Sequence, residues 1–290
     1  VMRVLLTGAA GQIGREIAAE LERRRQQRRR GAALEVLATD KAGLDVANRE
    51  AVMSTVTAFE PDVVVHAAAF TAVDACECDP ARAVAINAAG TRNLAEAARL
   101  IGAHVCYLST DYVFDGRKEG PYDEWDEPNP ISAYGRSKLG GERELSPEAT
   151  IVRTSWVSGR HGSNMAKTVL ALARGSGPLR FVDDQVGSPT MAADLAGVVI
   201  ELALGRRRGI FHVTNSGHTT WYGFARTVLA LAGGDAGRVR PISTAELDPP
   251  RAAPRPANSV LDNAALRAAG DGLLPSWEDS LGRLVAELSS

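Results

Sequence analysis

Cysteine is scarce in this chain of 290 residues, and its scarcity excludes two classes of protein. Three cysteines is an odd number, which does not suit a disulfide framework. Cys76 and Cys78 form a C-x-C pair, but no second Cys/His pair stands at the spacing of a zinc site. We therefore predict reduced thiols, no metal site and a cytoplasmic protein.

Long apolar runs and a strong net charge are also missing. No run of eighteen or more apolar residues is present, so we predict no membrane span. A formal net charge of −2 gives no reason to expect nucleic acid or an anionic membrane as a partner. The arginine-rich stretch Arg23–Arg30 has no interleaved aromatic residues, and we interpret it as a solvated helix end and loop. The N-terminal stretch runs from apolar residues into glycines without a cleavage-like segment, so no signal peptide is expected.

The first half of the chain alternates short apolar runs with helical patterns, which is typical of βαβ units. The predicted strands are Met2–Thr7, Leu34–Thr39, Val63–Ala67, His104–Leu108 and Thr150–Arg153. The predicted helices begin near Gln12, after Asn48 as a cap, at Pro80 (ending at Ile101) and at Ser132 (ending at Leu145). This order predicts an α/β fold with a doubly wound, parallel, Rossmann-like sheet.

The pattern loosens after Trp156, where glycine and proline become frequent. We predict helices at Ala192–Leu204 and Tyr222–Ala232, a strand at Ile210–Val213 and a C-terminal helix from Ser276. The predicted organisation is a dinucleotide-binding domain at 1–157, to which 191–213 returns. A second, smaller mixed α/β domain at 158–190 and 214–290 would bind the substrate.

Three glycines follow the first predicted strand and open a helix. Gly8, Gly11 and Gly14 have the spacing G-x-x-G-x-x-G, and this context suits a tight turn against a pyrophosphate at a helix N-terminus. Asp40 ends the second strand, where a carboxylate can bind a ribose diol, which favours NADH. Lys41 and nearby arginines leave NADPH open, and a plain turn residue is the alternative for Asp40.

Two further segments fit a dinucleotide site. Asp45 is a second acidic position, and we place it and the neighbouring Val46 beside the adenine. Ala67, Ala68 and Ala69 follow the third strand and offer small side chains where a cofactor could lie against backbone.

The chemistry is expected between positions 108 and 138. Tyr134 and Lys138 are four residues apart on a predicted helix, so their side chains share one face. The chain has only four lysines and five tyrosines, which makes this spacing informative. A nearby ammonium should lower the pKa of the phenol towards acid–base use, and Thr110 would bind the reacting oxygen.

With these motifs in this order, the chain resembles the extended short-chain dehydrogenase/reductases and, more narrowly, the dTDP-4-dehydrorhamnose reductase family. The resemblance covers TGAAGQIG (7–14), AAAFTAVD (67–74), STDYVFDG (109–116), YGRSK (134–138), RTSWV (153–157), DQVGSPT (184–190) and RPANS (255–259). STDYVFDG and DQVGSPT are the most specific of these.

The resemblance implies roles for individual residues. Thr110, Tyr134 and Lys138 would be catalytic. The cofactor would contact Gly8, Gly11, Gln12, Ile13, Asp40, Asp45, Val46, Ala67, Ala68, Ala69, Thr71, Tyr134 and Lys138. The nucleotide sugar would contact Val73, Thr110, Asp111, Tyr112, Trp156, Asn164, Gln185, Thr190 and Arg255.

The resemblance also implies an activity: NADPH- or NADH-dependent reduction of the C4 ketone of dTDP-4-dehydro-L-rhamnose, by a monomer or homodimer. A 4-ketoreductase for another dTDP-deoxysugar is the near alternative, and a non-catalytic NAD(P)-binding regulatory subunit is the alternative from another class. Dehydration is disfavoured because Asp111-Tyr112 stands where dehydratases carry Asp-Glu. The family differs at Phe70 and after Trp156, and no magnesium ligands can be identified here.

Overall fold

The structure is a computed structural model that describes residues 1–27 and 33–289. Its centre is a six-stranded sheet with strand order β10-β5-β4-β3-β1-β2, and every neighbouring pair is parallel. The six strands are β1 (Met2–Thr7), β2 (Leu34–Thr39), β3 (Val63–His66), β4 (His104–Thr110), β5 (Thr150–Thr154) and β10 (Gly209–His212). The predicted doubly wound, Rossmann-like sheet is therefore confirmed.

Helices cover both faces of this sheet because its strands alternate their apolar side chains between two cores. Val4 and Leu6 of β1 face one core, and Leu5 between them faces the other. The first core includes helices α1 (Gln12–Gln27) and α8 (Ala192–Leu204), and the second includes α2 (Arg49–Phe59) and α5 (Gly90–Ile101). Asn48 caps α2 as predicted, accepting a hydrogen bond from Ala51 N at 3.1 Å.

The predicted helix Pro80–Ile101 has the expected bounds, but its middle turn is π-helical. It is divided into α4 (Pro80–Val84), a π-helical turn (Ala85–Ala89) and α5, and a short helix α3 (Val73–Cys78) precedes it. The π-turn contains the buried Asn87, whose side chain bonds Phe70 N at 2.8 Å, Phe70 O at 3.0 Å and Ser137 Oγ at 2.9 Å. π-turns inside helices are frequent at functional sites.

Most of the remaining elements form a smaller layer with its own apolar core. This layer contains a parallel pair of strands, β7 (Leu179–Val182) and β13 (Val239–Ile242), and the helix α7 (Met165–Ala173). The sequence predicted none of these three elements. The core of this layer includes Val169, Phe224 and Leu281. The other elements are β6 (Val157–Ser158), β8 (Val186–Gly187), β9 (Thr190–Met191), β11 (Asn215–Ser216), β12 (Thr219–Thr220), α9 (Trp221–Leu231), α10 (Ala264–Ala268), β14 (Leu274–Ser276) and α11 (Trp277–Ser289). Helix α6 (Ala133–Arg143) packs beside β4 and the π-turn, and α10 and Leu274 of β14 pack against the first core of the large sheet.

Two later elements belong with the large sheet, because α8 packs against it and β10 forms its edge strand, whereas Met191 just before α8 packs in the smaller core. The domain bounds themselves stay predictions. Within 1–27 and 33–289, no helix is long and apolar enough to cross a membrane. Arg23 and Arg24 pair with Glu20, and Arg25 pairs with Glu22, as on a solvated helix end; the rest of the Arg23–Arg30 run lies outside the described residues.

Candidate active site

The glycine turn after β1 forms a cradle with no room for side chains. Gly8 has φ +73°, and a Cβ there would lie 2.5 Å from Ala68 N. A Cβ on Gly14 would lie 2.0 Å from Gly8 O, and Gly11 N donates to the same oxygen at 3.0 Å. Helix α1 begins directly after the turn, so its free N–H groups and positive dipole end face this cradle. These residues fit the pyrophosphate of a dinucleotide.

Asp40 stands at the end of β2 and plays the part of a turn residue. Its Oδ1 accepts hydrogen bonds from Ala42 N at 3.0 Å and Gly43 N at 3.1 Å. The same residue lines a cleft of about 600 Å³ beside the glycine turn, together with Arg15 and Thr39. The two predicted roles of Asp40, as a turn residue and as a cofactor contact, are therefore compatible, because one carboxylate can accept the hydrogen bonds of the turn and still line the cleft.

The segments 45–46 and 67–73 border the same region. Asp45 accepts from Ala47 N at 3.0 Å, and Val46 is buried with its carbonyl bonded to Asn93 at 2.9 Å. Ala67, Ala68 and Ala69 are partly buried beyond β3, Thr71 is exposed and Val73 begins α3. Their predicted contacts to a cofactor or a substrate stay predictions.

Thr110 and Tyr134 meet at the carboxyl end of β4. Thr110 is the last residue of the strand, its Oγ1 donates to Asp111 Oδ1 at 2.9 Å, and its side chain interacts with that of Tyr134. Tyr134 lies in the first turn of α6 and is 8% exposed. Burial raises the pKa of Tyr134 above the usual value of a phenol. The predicted lowering of this pKa is wrong, because loss of solvent outweighs the interaction with Thr110.

Lys138 lies one helical turn further along α6 and is also buried. Its Nζ donates to Leu108 O at 2.7 Å and lies 4.0 Å from the centre of the Tyr107 ring. Burial lowers the pKa of Lys138 to about 7. The ammonium is thus directed towards the end of β4, which explains why it does not offset the burial of Tyr134.

Asp111 and Tyr112 follow Thr110 in a 3₁₀ turn. Asp111 is 2% exposed and accepts from Ser155 Oγ at 2.9 Å, and burial raises its pKa to about 6. The Tyr112 ring meets the Tyr134 ring edge-on, with centroids 5.7 Å apart. Asp111 therefore joins the ends of β4 and β5, and Tyr112 packs directly against the predicted proton donor.

Arg255 approaches this place from the smaller layer. Its guanidinium forms a two-pronged pair with Asp74, at 2.6 Å and 2.7 Å, and donates to Ala253 O at 2.6 Å. The guanidinium also lies close enough to the Tyr112 side chain to interact with it. The Arg255 side chain is 9% exposed. Asp74 thus fixes this arginine beside the tyrosine pair.

Comparisons with known proteins identify the family of this chain. A family model described as the RmlD substrate binding domain matches residues 2–290. The chain belongs to the RmlD family. It is 42% identical over 299 residues to a dTDP-4-dehydrorhamnose reductase of Sinorhizobium fredii, covering 98% of this chain and 97% of the relative.

Two solved structures of reductases with this name resemble the chain along its whole length. One, from Clostridium acetobutylicum, has a TM-score of 0.91 at 42% identity and covers 100% of both chains. The other, from Bacillus anthracis, is a complex with NADP and has a TM-score of 0.91 at 38% identity, with 99% of each chain covered.

Trp156, which the RmlD resemblance places at the sugar, has an unusual backbone. Its φ is +46°, a region that residues other than glycine rarely adopt. Its ring stacks on Trp221 at 3.5 Å with 5° between the planes, and Gly187 lies against its edge. Backbone outliers of this kind cluster at functional sites.

The other predicted nucleotide-sugar contacts are held by protein groups. Asn164 donates to Gln12 Oε1 at 2.8 Å and caps α7 through Lys167 N at 3.2 Å. Gln185 is buried and donates to Thr244 Oγ1 at 2.9 Å, and Thr190 is fully buried. Their roles in this RmlD family member stay predictions. The Thr190 side chain has no exposed surface for a ligand to contact.

Four residues at the site were missed by the sequence reasoning: Asp74, Asn87, Glu142 and Trp221. Glu142 had a signal, because it lies four residues after Lys138 on the same helix face. Asp74, Asn87 and Trp221 carried none, because their partners are distant in sequence. In the described ranges 1–27 and 33–289, no group of three His, Cys, Asp or Glu side chains could hold a metal ion.

Proposed function

We propose that this chain reduces the C4 ketone of dTDP-4-dehydro-L-rhamnose to give dTDP-L-rhamnose, using NADPH or NADH. The observation that carries this function is the meeting of Thr110 and Tyr134 at the end of β4, with Lys138 one turn away. The parallel sheet brings the end of β4 to the same edge as the glycine turn after β1. Full-length similarity to reductases of this name supports the choice of substrate.

Tyr134 keeps its proton at neutral pH and can donate it, although its raised pKa makes it a weaker acid than a free phenol. When bound, the nicotinamide supplies the hydride that reaches the carbonyl carbon. Tyr134 Oη donates its proton to the carbonyl oxygen, and the Thr110 hydroxyl hydrogen-bonds the same oxygen. Lys138 contributes positive charge near the oxygen as negative charge develops there.

The nucleotide sugar is assigned to the residues around Tyr112, Trp156 and Arg255. Arg255 supplies positive charge for a diphosphate, whose binding would have to share or replace the Asp74 contacts, and Trp156 supplies a flat apolar face for sugar C–H groups. This division agrees with the predicted organisation: 1–157 and 191–213 hold the dinucleotide, and 158–190 and 214–290 bind the sugar. A cytoplasmic location belongs to the same proposal.

The test is a reduction assay on the purified protein. NADPH or NADH is mixed with dTDP-6-deoxy-L-lyxo-4-hexulose, and the loss of nicotinamide absorbance is followed over time. NMR of the product then identifies the configuration at C4, which separates rhamnose from the product of another 4-ketoreductase. Cofactor binding without oxidation, beside a reductase control that is active, would support the regulatory-subunit alternative and reject the proposed function.

A further inference from the structure

A buried ion pair lies directly behind the predicted catalytic lysine. Glu142 is one helical turn after Lys138 on α6, and its carboxylate receives two bonds from Arg153: Nε at 3.0 Å and Nη2 at 2.7 Å. Ser109, which precedes Thr110 on β4, donates to the same carboxylate. Side-chain exposure is 5% for Glu142 and 2% for Arg153. The pair therefore joins α6, β4 and β5 where the three elements carry Lys138, Thr110 and Ser155.

The buried Glu142–Arg153 ion pair is not expected to add much to the stability of the fold. Taking two charges out of water costs several kcal/mol per ion, roughly, and replacing such a pair by apolar residues is often neutral or stabilising. Among the described residues, Arg153 Nη1 has no hydrogen-bond partner, so the arginine is not fully satisfied. A buried, imperfectly satisfied pair at this place calls for a functional reason.

We propose that Glu142 is a positioning residue for Lys138: held by Arg153 and Ser109, its carboxylate places a negative charge one helical turn from Lys138 and favours the charged form of that side chain. The proposal rests on the proposed function only for its kinetic readout. Residues four apart on a helix are neighbours, and an opposite charge at this separation favours the charged form of each.

Charged and titratable groups reach Lys138 from each neighbouring element. His66 on β3 is kept neutral by burial and by Lys138, and Tyr107 on β4 has a pKa raised well above its usual range by burial. Tyr134 lies on α6 itself, and its pKa is raised as well. All three are uncharged at neutral pH. Arg153 on β5 pairs with Glu142 behind the lysine, and among these groups Glu142 supplies the negative charge that opposes the effect of burial, which favours the neutral Lys138 amine.

The first experiment compares Glu142→Gln with the wild type in pH profiles of kcat/KM. Activity that needs the Lys138 ammonium falls as pH rises through the pKa of that lysine, which is about 7. Loss of the carboxylate lowers this pKa, so the alkaline limb should move down by about one pH unit or more. Glu142→Asp retains the charge and should bring the limb back towards that of the wild type.

Glu124→Gln is the matched control. Counted over the whole residue, Glu124 and Glu142 are each 7% exposed. Glu124 accepts hydrogen bonds from the backbone N–H groups of His212 and Ala265, away from Lys138. This variant should lose stability without moving the alkaline limb. If Glu142→Gln does not fold, Glu142→Gln/Arg153→Met leaves no unpaired buried charge, and its limb should move in the same direction.

The second readout is independent of activity. The Lys138 pKa lies below the 10.5 of a free lysine, so the unfolded chain binds more protons between pH 7 and 10.5. The free energy of unfolding therefore gains a rising contribution across that window, which Lys138→Met should remove. In the Glu142→Gln variant the rise should begin at lower pH.

The outcomes separate the two claims. The role of Glu142 would be overturned if a folded Glu142→Gln variant kept both wild-type results. These are the position of the alkaline limb in the kcat/KM profile and the pH at which the unfolding free energy begins to rise. Absence of reductase activity in the wild type would reject the proposed function, and the unfolding measurement would still decide the role of Glu142.

Discussion

Replacing Asp74 by Asn removes the charge that holds Arg255. The Arg255 hydrogen bonds lower the pKa of Asp74 from 3.8 to about 2, which corresponds to roughly 2 kcal/mol of interaction. The Asp74 side chain is 42% exposed, so solvent screening reduces the expected loss of unfolding free energy to about 1 kcal/mol. Because its folded pKa is depressed, this stability is present above pH 3.8 and is lost as pH falls through 2.

Asp74→Asn should also weaken substrate binding. Arg255 would no longer be fixed beside Tyr112, and ~1 kcal/mol corresponds to about a fivefold change in a binding constant. The expected kinetic result is a rise of about this size in KM for the nucleotide sugar, with kcat little changed. Urea unfolding at pH 7 and pH 2.5, together with the reduction assay, measures both effects.

Asp262→Asn is the matched control for this prediction. Asp262 forms a similar two-pronged pair with Arg267, and more than one third of the surface of each side chain is exposed. Its loss should lower stability by a similar or smaller amount and leave KM unchanged. Our reasoning about Asp74 is refuted if Asp74→Asn unfolds at the wild-type urea concentration, or if Asp262→Asn raises KM to the same extent.

Three further predictions concern the rest of the site. Tyr134→Phe should lower kcat by about 10²–10⁴-fold with an unchanged circular dichroism spectrum, because it removes only the proton donor; wild-type turnover would contradict this role. Gly14→Ala should weaken NADPH binding in a fluorescence titration, because its Cβ would lie 2.0 Å from Gly8 O; unchanged affinity would contradict the cradle. Trp221→Leu should abolish the near-parallel indole stack with Trp156, seen as loss of an exciton signal in the far-ultraviolet spectrum; a retained signal would place the stack elsewhere.

Strands and capped helices could be predicted because their signals are local. Short apolar runs located all six strands of the sheet, and Asn48 was identified as a cap from its residue type and place. The π-turn at 85–89 could not be predicted, because what distinguishes it is the bonding of Asn87 to Phe70 and Ser137, residues distant in sequence. Tertiary contacts decided that local conformation.

The candidate site shows the same division. Glycine spacing and the Tyr134–Lys138 pair are visible in the sequence because each is one local motif. The direction in which the pKa of Tyr134 shifts could not be predicted from the sequence, because burial depends on the whole fold and outweighs a single neighbouring charge. Arg255 was found only through family resemblance, and its partner Asp74 lies 181 residues away in the chain.

Buried polar groups concentrate at the carboxyl ends of β4 and β5, and this concentration is itself an argument for function. Asp111, Glu142 and Arg153 are all nearly inaccessible, although burial of charged groups is costly unless each is paired. Each has partners on a different element: Asp111 on β5, Glu142 on β4 and β5, and Arg153 on α6. Apolar side chains would fill the same space at lower cost. A fold that retains three ionisable groups beneath Thr110 and Lys138 is using them to fix the direction and the charge of the groups above.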